Sequence, residues 1–416
     1  MVDYLLIGEK LSHSHSPLVH SLLGDYRYEL AEVAQADLDH FIRSHPFKGA
    51  NVTIPYKIRA HALCDHLSEE AELLGNVNTL VVGEDGNITG YNTDLYGMIF
   101  LIASSGIEVK GRKVAVLGSG GAAQTTTVAL RMLEAEDIIM ISRSGPIDYK
   151  ALYNLYSDVQ VIINATPVGM FPRIDASPVD LDRLPEVGAV IDLIYNPHRT
   201  KLLIDAKARR LQYANGLAML VAQAAEAKAL FTGIETETED IISVIQQVRM
   251  QLVNLVIVGM PGSGKSTIGK KLSKQLDREL VDIDSEIVKK THLSIPDIFE
   301  KCGEPFFRDV ESEMIEEVVK RKGIIIATGG GAVLRQRNVE LLQRDGVVIH
   351  LVRKNSELST NGRPLSQDLD RLALARLEIE RMPHYLGAMD YQTKNEGSLA
   401  SVVEQAKEGF YAVTRH

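Results

Sequence analysis

The sequence predicts an α/β protein built around parallel sheets and divided into more than one domain. Three observations predict it. Short apolar β-type runs alternate with helix-compatible stretches along the chain, the pattern of parallel strands joined by crossover helices. A strand running into a glycine-rich turn and then a helix occurs at 113–133, opening Lys113-Val-Ala-Val-Leu117-Gly118-Ser-Gly120-Gly121-Ala122-Ala123. A second such unit occupies 252–275, where Gly259-Met-Pro-Gly262-Ser-Gly264-Lys265-Ser266-Thr267 follows an apolar run. It begins past residue 250, so a separate body of protein precedes it.

Taken in order, residues 2–7 read as a strand, 16–23 as a helix and 50–54 as a strand. The runs 79–82 and 88–91 flank Glu84-Asp85-Gly86-Asn87, a hairpin signal. Residues 113–117 form a buried-type strand, 122–133 its helix and 137–141 the next strand; 161–164 and 190–193 are further parallel strands. Residues 218–231 make a helix with a wide apolar face. From Thr232 to Asp240 the chain turns acidic and Thr-rich, which suits a linker entering the first turn of a helix at 241–249. Beyond a boundary near Met250, 252–258 is a strand and 267–275 a helix. A strand at 279–284 ends in Asp282-Ile-Asp284, and one at 324–327 runs into Gly329-Gly330-Gly331. The expected division is a domain at 1–235, a linker and helix at 236–249, and a domain at 250–416. The first domain has one lobe at about 1–95 plus 215–235 and a second, dinucleotide-type lobe at about 96–214.

Over 416 residues, 45% hydrophobic and 24% charged composition is enough for sizeable cores. A formal charge of −10 argues against nucleic acid as a partner, so the basic residues are read locally, as ligands for small anions. Only Cys64 and Cys302 occur, which argues against a disulfide framework and suits a reducing, cytoplasmic setting. The first eight residues lack a basic signal-peptide start, and no apolar run reaches the roughly 18–20 residues of a membrane span.

The glycine-rich turns carry the chemistry. Gly259 to Ser266 is a full G-x-x-x-x-G-K-S phosphate loop in strand–turn–helix context. Gly262 and Gly264 let backbone N–H groups turn inward, Lys265 reaches the β/γ-phosphates of ATP, and Ser266 holds Mg²⁺ at the helix start beside Thr267. Strand alternation would put Asp282 and Asp284 on one side, one for Mg²⁺ and one to take a proton. Gly118, Gly120, Gly121 and Ala122 form a variant of the dinucleotide fingerprint. The following strand ends Ile141-Ser142-Arg143, with no acid to bind a ribose 2′-hydroxyl. The expected cofactor is therefore NADP(H), with Arg143 on the 2′-phosphate. Upstream, Ser12 to Ser16, Asn51 to Lys57, Asn76 to Thr79 and Gly90 to Asp94 place hydroxyls, amides, a lysine and an aspartate in loop positions, a set suited to a small polyhydroxylated ligand. His13 and His15 share one side of an extended segment, but no Cys or acidic ligand lies near, so no metal is assigned there.

These segments resemble shikimate dehydrogenase over the first 235 or so residues. The resemblance rests on Ser14 and Ser16, Thr53 and Lys57, Gly90 to Asp94, Asn164-Ala-Thr166-Pro167-Val-Gly169-Met170, Asp192 with Tyr195 and Pro197, and Gly216 with Met219, Leu220 and Gln223. It implies a substrate lobe and a Rossmann NADP lobe that reduce 3-dehydroshikimate with NADPH. By that pattern Lys57 and Asp94 are the catalytic pair, Asp94 also capping the helix that follows it. Ser14, Ser16, Thr53, Asn78 and Gln223 hold the substrate, and Gly216 lies at the cofactor side. Leu95 stands where the family usually has glycine, with Tyr96 next, which would crowd the nicotinamide or shift the substrate preference.

The region from about 250 to 416 resembles shikimate kinase, a P-loop domain of the nucleoside-monophosphate-kinase kind with a parallel sheet. The resemblance makes Asp284 the base, and Arg308, Arg381, Gly330 and Gly331 the shikimate side. It puts Asp282 and Ser266 on Mg²⁺, Lys265 on the phosphates and Arg363 in a lid that closes over them. The segment 352–362 is shorter than the family's, and no arginine follows Lys354 there to stack on adenine. Together the resemblances imply two consecutive steps in one chain, 3-dehydroshikimate to shikimate to shikimate 3-phosphate. The competing readings are a quinate-accepting dehydrogenase fused to the kinase, and a nucleotide-binding regulatory module that has lost catalysis in one domain.

Overall fold

The computed structural model describes residues 2–11, 14–44, 47–354 and 371–415. They fall into two compact units: Met1–Asn196 with Asp205–Val248, and Pro197–Ile204 with Arg249–His416.

The first unit opens with a mixed sheet. Its strands are β1 (Val2–Gly8), β2 (Tyr28–Glu32), β3 (Phe47–Val52), β4 (His66–Leu67), β5 (Thr79–Val82) and β6 (Ile88–Tyr91), in the order β2-β1-β3-β5-β6-β4. β1 pairs in parallel with β2 and β3, while β5 runs antiparallel to both β3 and β6. The expected 79–82/88–91 hairpin is therefore present. Leu5, Ile7, Phe47, Ala50, Val52, Leu80 and Ile88 form the core beneath it. The C-terminal ends of β1 and β3, the start of β5 and the end of β6 all lie at one edge of this sheet, since Asn51 is level with Thr79 and Thr79 with Tyr91.

A second, all-parallel sheet follows, with β7 (Lys113–Leu117), β8 (Asp137–Ile141), β9 (Val161–Asn164), β10 (Ala189–Asp192) and β11 (Gln212–Asn215) in the order β11-β10-β9-β7-β8. Val114 to Leu117 are fully buried, as a strand covered on both faces must be. β8 and β9 flank β7 on opposite sides, so the glycine turn after β7 opens at the point where the strand order reverses, where such sheets bind ligands.

The helices Asp94–Ser105 and Leu217–Thr232 cross closely because of Gly97. A Cβ at Gly97 would stand 2.7 Å from the Met219 carbonyl oxygen and 3.0 Å from Gln223 Cβ. The second helix returns to the mixed sheet at Gly49, where a Cβ would meet the Phe231 ring at 2.5 Å.

The second unit carries β12 (Asn254–Val258), β13 (Leu280–Asp282), β14 (Ile325–Ala327), β15 (Gly346–Val352) and β16 (Tyr391–Lys394), all pairing in parallel in the order β13-β14-β12-β15-β16. Two expectations shift here. The helix Thr238–Leu252 runs past the end expected at 249, so Leu252 is helical and β12 starts after it. The strand expected at 279–284 stops at Asp282, and Asp284 sits in the first turn of the helix Ile283–Thr291. Strand alternation therefore does not relate the two carboxylates. Asp282 is the helix N-cap, accepting from the Ser285 N–H, because an Asp before a helical run captures the free N–H groups there. Among the described residues, no helix is long and apolar enough to cross a membrane.

Candidate active sites

At the edge of the mixed sheet, Lys57 opens the short helix Lys57–His61 after β3, and Asp94 opens the helix after β6. Their side chains meet, with Lys57 Nζ 2.5 Å from Asp94 Oδ2, both partly shielded from solvent. The expected capping role of Asp94 is not seen: the N-cap position belongs to Thr93, and Asp94 is one residue inside the helix. Its second oxygen instead accepts from Asn78 Nδ2 at 2.9 Å. Asn78 comes from the residue before β5, and its Oδ1 accepts from the Thr93 N–H at 2.8 Å. Gln223, carried in on the helix beside Gly97, accepts from Thr93 Oγ1 at 3.4 Å. Tertiary structure thus joins Lys57, Asp94, Asn78, Thr93 and Gln223.

Ser14, Ser16 and Thr53 occupy the same sheet edge by topology. Ser14 Oγ lies 3.2 Å from Ser16 Oγ in the loop after β1, and Ser16 starts the next helix. Thr53 follows β3, its N–H donating to the Ile7 carbonyl and its methyl packed against Gly8. Leu95 is buried, and the exposed neighbour is Tyr96, beside the Phe100 ring.

In the parallel sheet, Gly118 has φ 122°, a backbone only glycine adopts readily, and a Cβ there would stand 3.1 Å from the Ala165 carbonyl oxygen. Cβ atoms at Gly120 or Gly121 would meet nothing within 4 Å, so the turn is open above the helix Gly121–Met132, which begins with Ala122 in its first turn. No side chain caps that helix, so its first N–H groups are available to an anion. These features fit a dinucleotide pyrophosphate. Ser142 is buried after β8, and Arg143 is exposed one residue on. Gly216 has a reason of its own: a Cβ there would collide with the Leu193 backbone. The motif residue Asn164 is wholly buried, donating to Asp192 Oδ1 at 3.0 Å and accepting from Thr166, which ties the loops after β9 and β10.

In the second unit, Gly259, Gly262 and Gly264 take φ values of 150°, 84° and 101°. The first needs the missing Cβ as well, since one would press on the Leu351 carbonyl. Lys265, nearly buried, donates across the loop to the Gly259 and Met260 carbonyls at 2.9 and 3.0 Å. Thr267 continues the helix Lys265–Leu276. Ser266 Oγ donates to Asp282 Oδ2 at 2.5 Å. A hydroxyl and a carboxylate are hard oxygen donors that fit Mg²⁺, which takes few protein ligands and completes its shell with phosphate oxygens and water. No cluster of three or more His, Cys, Asp or Glu is placed to hold a metal among the described residues.

The triple glycine after β14 is the contact surface for the charged groups. A Cβ at Gly329 would stand 2.9 Å from Asp284 Oδ1 and 2.5 Å from Glu311 Oε1. One at Gly331 would overlap the Arg308 guanidinium. One at Gly330 would meet Pro261 of the phosphate loop at 2.6 Å, and the Gly330 carbonyl accepts from Arg381 at 3.2 Å and Tyr385 at 2.6 Å. Asp284, Arg308, Arg381, Gly330 and Gly331 therefore come together. Arg363 and the short segment's residues from 355 onward lie outside the described residues.

Two participants carry no assignment from sequence. Glu311 is completely buried and accepts from Arg308 at 2.7 Å, with Glu304 on the guanidinium's other side at 3.0 Å. Burial pushes the Glu311 carboxyl above its ordinary value, and the Arg308 charge only partly offsets this. Burial opposes the Arg308 charge, but Glu311 and Glu304 outweigh it and leave its pKa raised. Spacing of three on a helix is the available signal, since it puts Arg308 and Glu311 on one face. Asn395, after β16, donates to the Ser263 carbonyl at 2.6 Å and braces the phosphate loop, which no local pattern announces.

Both parts of the chain are similar to known proteins. The shikimate dehydrogenase substrate binding domain matches residues 6–80, and shikimate kinase matches residues 261–409. The shikimate dehydrogenase (NADP(+)) of Clostridium beijerinckii is 36% identical over 249 residues, 56% of this chain and 92% of that protein. Among solved structures, a chorismate mutase/shikimate 5-dehydrogenase fusion protein from Clostridium acetobutylicum aligns with TM-score 0.57 and 35% identity, over 60% of this chain and 97% of that one. The shikimate 5-dehydrogenase of Thermus thermophilus, in complex with NADP(H) and shikimate, aligns with TM-score 0.54 and 30% identity, over 59% of this chain and 99% of that one. The chain belongs to the shikimate dehydrogenase family and carries a shikimate kinase domain behind it, an NADP-dependent oxidoreductase and a phosphotransferase on one polypeptide.

Proposed function

We propose that the first unit reduces the ketone of 3-dehydroshikimate to shikimate, and that the second phosphorylates shikimate to shikimate 3-phosphate. The observation that carries the reading is the Lys57–Asp94 pair, 2.5 Å apart at the ligand edge of the mixed sheet. NADPH supplies the hydride when bound. As hydride reaches the carbonyl carbon, negative charge moves to the oxygen, which needs a proton. Lys57 gives it, and Asp94 holds the ammonium in place. Ser14, Ser16, Thr53, Asn78 and Gln223 orient the ring through its carboxylate and hydroxyls. Arg143 and Ser142 take the 2′-phosphate end of the cofactor.

In the second unit, MgATP supplies the phosphoryl group when bound. Asp284 takes the proton of the attacking hydroxyl, and Arg308 and Arg381 grip the ring carboxylate, a task suited to the guanidinium fork. Lys265 neutralises phosphate charge, and Ser266 and Asp282 would hold the Mg²⁺. Positioning and charge neutralisation supply most of the rate in such transfers. Both cysteines are free, in keeping with a reducing cytosol.

The test is turnover by the full-length protein given 3-dehydroshikimate, NADPH and MgATP, followed by mass spectrometry of the products. NADPH oxidation coupled to ADP release and a phosphorylated ring acid is expected. Preference for quinate over shikimate in the reverse reaction would replace the substrate assignment. Binding of both nucleotides without turnover would support a sensor instead.

A further inference from the structure

A buried polar chain runs inward from the Lys57–Asp94 pair, and beyond Asn78 its members carry no role in the proposed function. Asn78 donates to Asp94 Oδ1 at 2.9 Å. On its other side, Asn78 Oδ1 accepts from the Thr93 N–H at 2.8 Å and from the Thr79 hydroxyl at 3.1 Å. Thr79 Oγ1 in turn accepts from Asn51 Nδ2 at 3.0 Å. Asn51 Oδ1 accepts from the Tyr28 hydroxyl at 2.7 Å. The Tyr28 ring stacks on His20 with centroids 3.7 Å apart and planes 13° from parallel. Thr79 is 0% exposed, Asn78 3% and Asn51 5%, so the middle of the chain is closed to solvent and its groups must satisfy one another.

The polarity of the chain follows from proton counting together with the fixed Thr93 N–H donor. A phenol and a threonine hydroxyl each own one hydrogen. Tyr28 directs its hydrogen to Asn51 Oδ1, which turns the Asn51 NH₂ toward Thr79. Thr79, receiving that N–H, has its own hydrogen to give, with Asn78 Oδ1 at 3.1 Å and Thr93 Oγ1 at 3.3 Å as its acceptors. The Thr93 backbone N–H, which can only donate, holds Asn78 Oδ1 on that side, so Asn78 presents NH₂ to Asp94. The reverse amide orientation would set Oδ1 against the Asp94 carboxylate and NH₂ against the Thr93 N–H, two repulsive contacts in a buried site.

We infer that Thr79, backed by Asn51 and Tyr28, is a positioning residue for the dehydrogenase: it locks the Asn78 amide so that one Asp94 oxygen is held and the other stays aimed at Lys57. The inference rests on reading Lys57 and Asp94 as the proton-handling pair. It assigns a role in catalysis to a wholly buried strand residue on β5.

The experiment compares Thr79→Val and Thr79→Ser in the full-length chain. It follows dehydrogenase kcat, KM and the pH–rate profile, with NADP⁺ binding and kinase turnover as checks on folding. Thr79→Val should lower kcat about tenfold to a hundredfold and displace the pH–rate profile, with NADP⁺ affinity unchanged. Thr79→Ser, which keeps the donor, should restore kcat to within about threefold. An unchanged profile in Thr79→Val overturns the inference, as does equal loss in the Val and Ser variants. If Thr79→Val fails to bind NADP⁺, Tyr28→Phe decides. It removes only the far hydroxyl, and a pH–rate profile identical to the parent's then overturns the inference. Lys57→Met is the separate control: if it keeps the parent kcat, the proton-pair reading itself fails, whatever Thr79 does.

Discussion

The two sites are braced in opposite ways. In the first unit the Lys57–Asp94 pair is backed by neutral groups, the amides of Asn78 and Asn51 and the hydroxyls of Thr79, Thr93 and Tyr28. In the second, Arg308 is backed by formal charges, with Glu311 wholly buried and Glu304 alongside. Neutral partners with satisfied hydrogen bonds cost little to bury and fix orientation. Buried charges cost far more and are tolerated only in pairs. The difference fits the chemistry proposed for each site: a proton donor would need one carboxylate oxygen aimed well, whereas a phosphoryl acceptor site would have to hold an anionic ring beside an anionic nucleotide.

The largest expected effect separates the two centres. Lys57→Ala should cut dehydrogenase turnover by about 10²–10⁴-fold and leave kinase turnover within about twofold. Lys265→Ala should do the reverse, by about 10²–10³-fold. Steady-state assays of both activities on each variant check this, and parallel loss of both activities in one variant would contradict independent sites.

Next comes the buried pair. Glu311→Ala leaves the Arg308 guanidinium with Glu304 as its carboxylate partner among the described residues, and loss of one partner from a buried ion pair typically costs about 3–5 kcal/mol. Denaturant unfolding of the second unit, followed through loss of kinase activity, should show a destabilisation of that order. A change under about 0.5 kcal/mol would mean the pair is not structurally important.

The smallest effect is a pH dependence of the first unit. Burial pushes His20 down to about 3, offset in part by Asn51. A depressed value means the folded state keeps His20 neutral while the unfolded chain protonates near 6.5. Its contribution is therefore fully present above about pH 6.5 and is lost as pH falls toward 3, by roughly 1.4 kcal/mol per unit. Thermal unfolding of His20→Gln between about pH 7 and pH 5 should show a flatter slope than the parent, and equal slopes would remove His20 as the cause.

How much can be read in advance depends on whether the cause is local. The phosphate loop and the Gly118 turn are legible because their glycines answer to the backbone of the same few residues. Asp284 reads as a strand residue because the pattern D-x-D fits both an alternating strand and a helix start, and the Asp282 cap settles which. Asp94 reads as a cap because an Asp before a helix usually is one, but Lys57 and Asn78 compete for its oxygens. Glu311 draws no notice because a glutamate on a helix is ordinarily solvated, and its place between Arg308 and Gly329 comes from tertiary packing.

By itself the sequence determined the alternating α/β plan, the two anion-binding turns and the candidate reacting groups, since each is encoded in contiguous residues with narrow backbone or chemical requirements. Only the tertiary structure decided which groups meet. Lys57 and Asp94 are 37 positions apart, and they touch because parallel and antiparallel strands bring their loops to one sheet edge. The orientation of the Asn78 amide behind them is likewise a property of that enclosed space, where the Thr93 N–H must find an acceptor and Asp94 a donor.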